Sequence, residues 1–161
     1  MHRTCLALLG AAAAALAACG GGDETKDKPL TKEQFVTRAD GVCREVKQEQ
    51  RAYSDRLGAL PGGTDLERVA PILEGVVAQT RKGRERLGAL REQAPSADRA
   101  AFDAYLTAAD RLLAASTRLA AAAKSGDRAA ARRVADAEDA LSTEQQRRAD
   151  ELGVEDCGDV F

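Results

Sequence analysis

From Thr31 to the end of the chain, apolar residues recur at helical spacing and are interrupted by glycine and proline at intervals of about thirty residues. In the first stretch Phe35, Ala39, Val42, Val46, Tyr53, Leu57 and Leu60 follow one another by three, four or seven positions, with Glu49 as a polar interruption. Thr31 and Gln34 have the spacing of a capping box, which predicts a helix start, and Pro61-Gly62-Gly63 predicts its end. A second capping box, Thr64 with Glu67, opens a stretch in which Val69, Leu73, Val76, Thr80, Gly83, Leu87 and Leu90 alternate steps of four and three, a heptad seam. Pro71 lies early in it and is expected to kink or restart the helix, because it lacks the N–H that residue 67 would bond and crowds that carbonyl.

The third stretch follows "QAPS" at 93–96, with Ser96 as its candidate cap. Phe102, Tyr105, Ala109, Leu112, Ser116, Leu119 and Ala123 form its seam, widened by Leu106, Leu113 and Ala120. Gly126 terminates it and Asp127 caps a fourth helix, which carries Val134, Leu141 and Leu152 among many charges. Gly153 suits a helix terminus that needs a left-handed residue, after which Val154 can fold back. Four helices with connections of a few residues force antiparallel neighbours, so the expected fold is all-α, an antiparallel up-down-up-down four-helix bundle. Small residues at Ala39, Gly83, Ala109 and Ala123 would let helices approach closely. Composition agrees: aromatic residues make up 3% of the chain and Trp is absent, which leaves strands little to be built from. "RLGAL" occurs at 56–60 and again at 86–90, a common Leu/Ala pattern on which no duplication is argued.

The opening is of another kind. Arg3 is followed by an unbroken apolar and small run from 5 to 19, too short for the ~20 residues that cross a bilayer. The run ends in Leu16-Ala17-Ala18-Cys19, which resembles the lipobox of bacterial lipoproteins. That resemblance implies a cleaved signal peptide over 1–18, a diacylglyceryl thioether on Cys19, and a product anchored to the cell membrane on its extracytoplasmic side. Two or more acyl chains make a stable anchor, each buried methylene contributing about 0.8 kcal/mol. Residues 19–30 then form the lipidated Cys19 and a flexible tether reaching ~20 Å, and 31–161 form the bundle with a C-terminal tail.

The chain has four cysteines. If Cys5 leaves with the signal and Cys19 takes lipid, Cys43 and Cys157 remain, and an exported chain meets an oxidising compartment where such a pair usually bridges. Cys43 lies about 18 Å into the first helix at 1.5 Å per residue, so the tail from Val154 would have to climb back along that helix to reach it. A metal or redox pair is disfavoured, since there is no C-x-x-C and the single histidine, His2, belongs to the signal.

Phe35, Ala39-Asp40 and Cys43 near the start, with Leu152-Gly153 and Cys157-Gly158 near the end, resemble the paired landmarks of small secreted or lipidated helical proteins of high-GC actinobacteria. The likeness implies a four-helix, single-disulfide fold and brings no activity and no catalytic or binding residues with it.

Charge and chemistry narrow the function further. The chain has 24 Lys and Arg against 26 Asp and Glu, a formal −2, one unit more negative once Arg3 is removed. That balance argues against a nucleic-acid partner. Without His or Met, the mature chain lacks the usual haem ligands and the Glu-x-x-His pairs of di-iron bundles, so no cofactor and no metal are expected. No phosphate loop, H-E-x-x-H or Ser-His arrangement is present, so no catalytic residue is assigned and an enzyme is not expected. Paired-carboxylate hydrolysis would need two carboxylates about 5 to 10 Å apart, and nothing in the sequence singles out such a pair. Asp136, Glu138 and Asp139 alternate with Arg132 and Arg133, which predicts solvated ion pairs, and Asp40 is placed to pair with Arg44 one turn on. The basic group Arg81, Lys82, Arg84, Arg86 and Arg91 could contact anionic head groups or wall polymers, but Glu85 and Glu92 dilute it and a solvated helix face is the favoured reading. Tyr53, Phe102 and Tyr105 fall on the seams and read as core. The favoured function is therefore a lipid-anchored extracytoplasmic module that docks an envelope protein or polymer. The alternative is a small-ligand-binding lipoprotein with a cavity between helices, where the Thr80, Gly83 and Ser116 gaps lie.

Overall fold

The computed structural model describes residues 29–160. It is an all-α four-helix bundle: α1 (Lys32–Gly58), α2 (Leu66–Gly88), α3 (Arg99–Lys124) and α4 (Arg128–Leu152), with short 3-10 turns at Arg91–Gln93 and Glu155–Cys157 and no strand among the described residues. Cross-helix pairs give the direction: Glu45 with Arg86 and Gln50 with Thr80 between α1 and α2, Arg84 with Asp110 and Glu74 with Lys124 between α2 and α3. As one number rises the other falls, so neighbours run antiparallel. The expected signal segment over 1–18, the expected lipidation at Cys19 and most of the expected tether lie outside the described residues.

The helix ends follow local chemistry where it is unambiguous. Thr31 accepts from the Gln34 amide and the Gln34 side chain accepts from the Thr31 amide, the capping box the spacing predicts. Asp127 caps α4 by accepting from Ala130 N–H at 2.8 Å. At the other end of α4, Gly153 takes φ +76°, its N–H reaching Asp150 O while Val154 N–H reaches Ala149 O. This Schellman arrangement satisfies two terminal carbonyls and turns the chain back toward α1.

Three expectations fail locally, and at Pro71 the helix does not restart. Thr64 is not a cap: its hydroxyl donates to Pro61 O within the turn, and Asp65 stands at the N-cap with no side-chain cap bond. Ser96 lies in a turn, while α3 starts after Asp98, whose carboxylate accepts from Lys32 Nζ at 2.8 Å. The helix continues through Pro71, α2 running unbroken from Leu66 to Gly88. In its first half the buried positions are Ala70, Ile72 and Val77 rather than Val69, Leu73 and Val76. α2 packs on both α1 and α3, so its covered arc is wider than a single heptad seam.

The core is unevenly distributed along the bundle axis. At the end where α1 begins and α4 finishes, Phe35 meets Phe102 edge-on at 4.9 Å between ring centroids, and Phe102 lies parallel to Tyr105 at 6.3 Å. Val46, Leu87, Leu106, Leu152, Val154 and Val160 complete this cluster. Toward the other end the buried residues are mainly alanines, among them Ala70, Ala115, Ala120, Ala123 and Ala131. There Tyr53, Leu57 and Leu60 of the predicted α1 seam are only half-buried.

Candidate functional site

The built feature of the molecule is the clasped end, assembled from α1, α3, α4 and the tail. The tail leaves Gly153 and runs parallel to α1, so that Asp40, Cys43, Lys47 and Gln50 meet Asp156, Cys157, Asp159 and Val160 in turn. Cys43 and Cys157 form a disulfide with their Cα atoms 5.2 Å apart, closing a separation of 114 residues, and both are fully buried. In the chain-entropy account a loop of roughly this length stabilises by up to ~4.7 kcal/mol.

Around the bridge several polar side chains converge on the tail, while the buried Gln145 Oε1 has no hydrogen-bond partner among the described residues. The Cys157 carbonyl accepts from Tyr105 Oη and from Gln145 Nε2, each at 3.1 Å. Burial pushes the Tyr105 phenol well above its usual pKa, so it stays a donor, with the Gln145 side-chain hydrogen bond pulling the other way. Asp40 accepts the Asp156 backbone N–H at 3.0 Å, serving from another helix as a cap on the tail's 3-10 turn. Burial raises the Asp40 pKa, and the Asp156 N–H bond opposes that rise. The expected Asp40–Arg44 pair is thus replaced: Arg44 reaches Asp156 at 2.6 Å and Asp40 takes the backbone. Gln50 Nε2 donates to Thr80 Oγ1 at 2.9 Å and to Val160 O at 3.1 Å.

The other candidates are dispersed. Arg84 bonds Asp110, Arg86 bonds Glu45, and Arg91 forks onto Asp103 through Nε and Nη2. Three of the five residues in the basic group therefore tie α2 and its following turn to neighbouring helices, leaving Arg81 and Lys82 at the surface. Thr80 is occupied by Gln50, and Ser116 Oγ donates to Glu138 Oε1 at 2.9 Å. Of the expected Thr80, Gly83 and Ser116 gap, Thr80 and Ser116 are each hydrogen-bonded to a side chain of a neighbouring helix and Gly83 is buried. Burial raises the Glu138 pKa, which the Ser116 bond partly offsets. Asp136 and Asp139 are exposed. A surface groove of about 520 Å³ between α3 and α4 is lined by Ala121, Ala122, Ala130 and Ala137 together with Arg118 and Arg133.

Gln50 and Gln145 were not singled out by the sequence, yet both hold the tail. Gln145 sits four residues beyond Leu141 and seven before Leu152, a polar side chain on the buried stripe of α4, and that mismatch was the available signal. What the fold defines is a small helical domain with one disulfide. In comparisons with known proteins, no family model, no curated protein and no solved structure matches the chain.

Proposed function

We propose that the protein is a lipid-anchored extracytoplasmic module, held by acylated Cys19, whose bundle docks a protein or polymer of the cell envelope without catalysing a reaction. The observation that carries this reading is Leu16-Ala17-Ala18-Cys19 at the end of a short apolar run, the pattern that resembles a lipobox. A buried disulfide between the two cysteines left after export and lipidation supports it. The likeness of the Phe35, Cys43 and Cys157 landmarks to actinobacterial lipoproteins points the same way. Among the described residues no helix is long and apolar enough to cross a membrane, so attachment on this reading falls to the lipid.

The anchor would join the domain at its clasped end. α1 has 27 residues and is about 40 Å long at 1.5 Å per residue, so its far end would stand away from the bilayer, available to an envelope partner. Radiolabelled palmitate and membrane fractionation test the anchor: the native chain takes label and sediments with membranes, and Cys19→Ala does neither. Cross-linking mass spectrometry on native membranes tests docking. A reproducible partner lost in Cys19→Ala supports it, and equal capture by both forms overturns the dependence on the anchor.

A further inference from the structure

The segment from Val154 to Val160 occupies a place that a regular bundle gives to direct helix packing. α1 packs on α2, α2 on α3 and α3 on α4, whereas α1 and α4 scarcely approach each other by backbone and the tail turn packs on both. Val154, Cys157 and Val160 are each at most 3% exposed, so this short segment is an integral wall of the core. Its surface ion pairs, Arg44–Asp156 and Lys47–Asp159, contribute little, with Arg44 58% and Asp159 70% exposed, so its non-covalent hold comes from buried Val154 and Val160 and from the hydrogen bonds of Tyr105, Gln145, Gln50 and Asp40. The conformational entropy lost in ordering the segment opposes them. The disulfide is the fastening that raises the segment's effective concentration at α1.

We propose that Cys43 and Cys157 form a redox latch on this wall, open in the dithiol state and locked after export; its timing rests on the exported reading above. In the dithiol form Val154–Val160 leaves and re-enters the seam between α1 and α4, uncovering Ala39, Cys43 and Val46 and the Tyr105 and Gln145 donors. Closure is a two-step exchange with an external disulfide oxidant. One cysteine thiolate attacks the oxidant's disulfide, forming a mixed disulfide and releasing one thiol. The second cysteine thiolate then displaces the remaining oxidant thiol, so the protein's two thiols lose two protons and two electrons and the oxidant becomes a dithiol. Because both sulfurs are fully buried once closed, a reductant reaches them only after the segment opens. The latch therefore resists reduction more than an exposed bridge would.

The test uses the full chain with Cys5→Ser and Cys19→Ser, bridged with oxidised glutathione or reduced with dithiothreitol, and reads amide hydrogen exchange. Val154, Asp156 and Cys157, whose N–H groups bond Ala149 O, the Asp40 carboxylate and Val154 O, should exchange at least ten-fold faster in the dithiol form. Amides in the middle of α3 should change less than two-fold. Adding Cys43→Ala and Cys157→Ala should reproduce the dithiol pattern in either buffer. An unchanged segment, or equal acceleration throughout the bundle, overturns the latch. Its timing is read separately by alkylating thiols in intact cells: both cysteines should react in precursor held inside by a blocked signal, and a bridged precursor overturns the export timing alone.

Discussion

Gly75 offers a test of how α1 is held where the large core residues run out. A Cβ built at Gly75 would overlap Tyr53 Cε1 and fall 2.7 Å from Cδ1 and 2.8 Å from Cζ, so the tyrosine ring lies directly on the α2 backbone. Two effects of Gly75→Ala oppose each other. Replacing glycine within a helix gains about 1 kcal/mol from propensity. Against it, the ring must leave its seat: half of an aromatic side chain is on the order of 100 Å², and at about 25 cal/mol per Å² the lost burial is about 2 to 3 kcal/mol. Burial-based values are upper bounds, so the net expectation is destabilisation of about 1 kcal/mol. In a Tyr53→Ala background only the propensity gain survives, and the same substitution should stabilise by about 1 kcal/mol.

The sign change is the measurement. Urea unfolding of the four proteins, followed by far-ultraviolet circular dichroism, gives the four free energies and their coupling of about 2 kcal/mol. Thermal melts of a domain this size should move by about 3 to 5 °C per kcal/mol in the same directions. If Gly75→Ala stabilised equally in both backgrounds, the ring would not depend on the glycine, and the close α1–α2 approach inferred there would be wrong.

Three further outcomes are expected. Asp40→Ala should cost about 1 to 2 kcal/mol by leaving the Asp156 N–H without its acceptor, while Asp40→Asn, which keeps an acceptor oxygen, should cost less than half as much in the same urea assay. Burial raises the Glu138 pKa above its usual 4.5, so the stability linked to its neutral form is fully present below that value and lost as pH rises through the folded value. Glu138→Gln, still able to accept from Ser116, should therefore melt higher than the native chain at pH 7, with the difference vanishing near pH 4; a difference that grows on acidification would reverse that sign. Phe102→Ala, removing the ring between Phe35 and Tyr105, should cost about 3 to 5 kcal/mol, and a cost below 1 kcal/mol by urea unfolding would remove the aromatic cluster from the centre of the core.

Helix number and order were legible because period and breakers agree. Phe35, Ala39 and Val46, then Phe102, Tyr105, Ala109 and Leu112, are buried where the periodicity places them. The failures share one physical cause, which is that a local pattern does not say which neighbour claims a group. Thr64 has the spacing of a cap, but its hydroxyl is taken by Pro61 O. Asp40 has the spacing to pair with Arg44, but the returning tail offers it a backbone N–H and offers Arg44 a carboxylate. Gln145 shows on its own helix only as a polar fault in an apolar stripe, and its role depends on Cys157 arriving from beyond the helix end. The sequence could propose the Cys43–Cys157 bridge by elimination; it had no means to show that the tail carrying Cys157 replaces much of the α1–α4 contact.

That replacement explains why a chain so rich in alanine is closed at one end by a covalent bond. Alanine buries little apolar area, so an alanine interface contributes less per residue than one of leucine or phenylalanine, although it lets helices approach closely. Here the large side chains gather where α1 begins and α4 ends, and the disulfide, the Tyr105 and Gln145 donors and the Asp40 cap converge on the same few residues of tail. Stability is consequently concentrated at that end, while the far half of α1 rests on Tyr53 over Gly75 and on half-buried leucines. Local opening follows sparse burial, so the far half should fray before the clasped end. On the anchored reading, the rigid end is the one tied to the membrane and the end most able to remodel against a partner is the one held away from it.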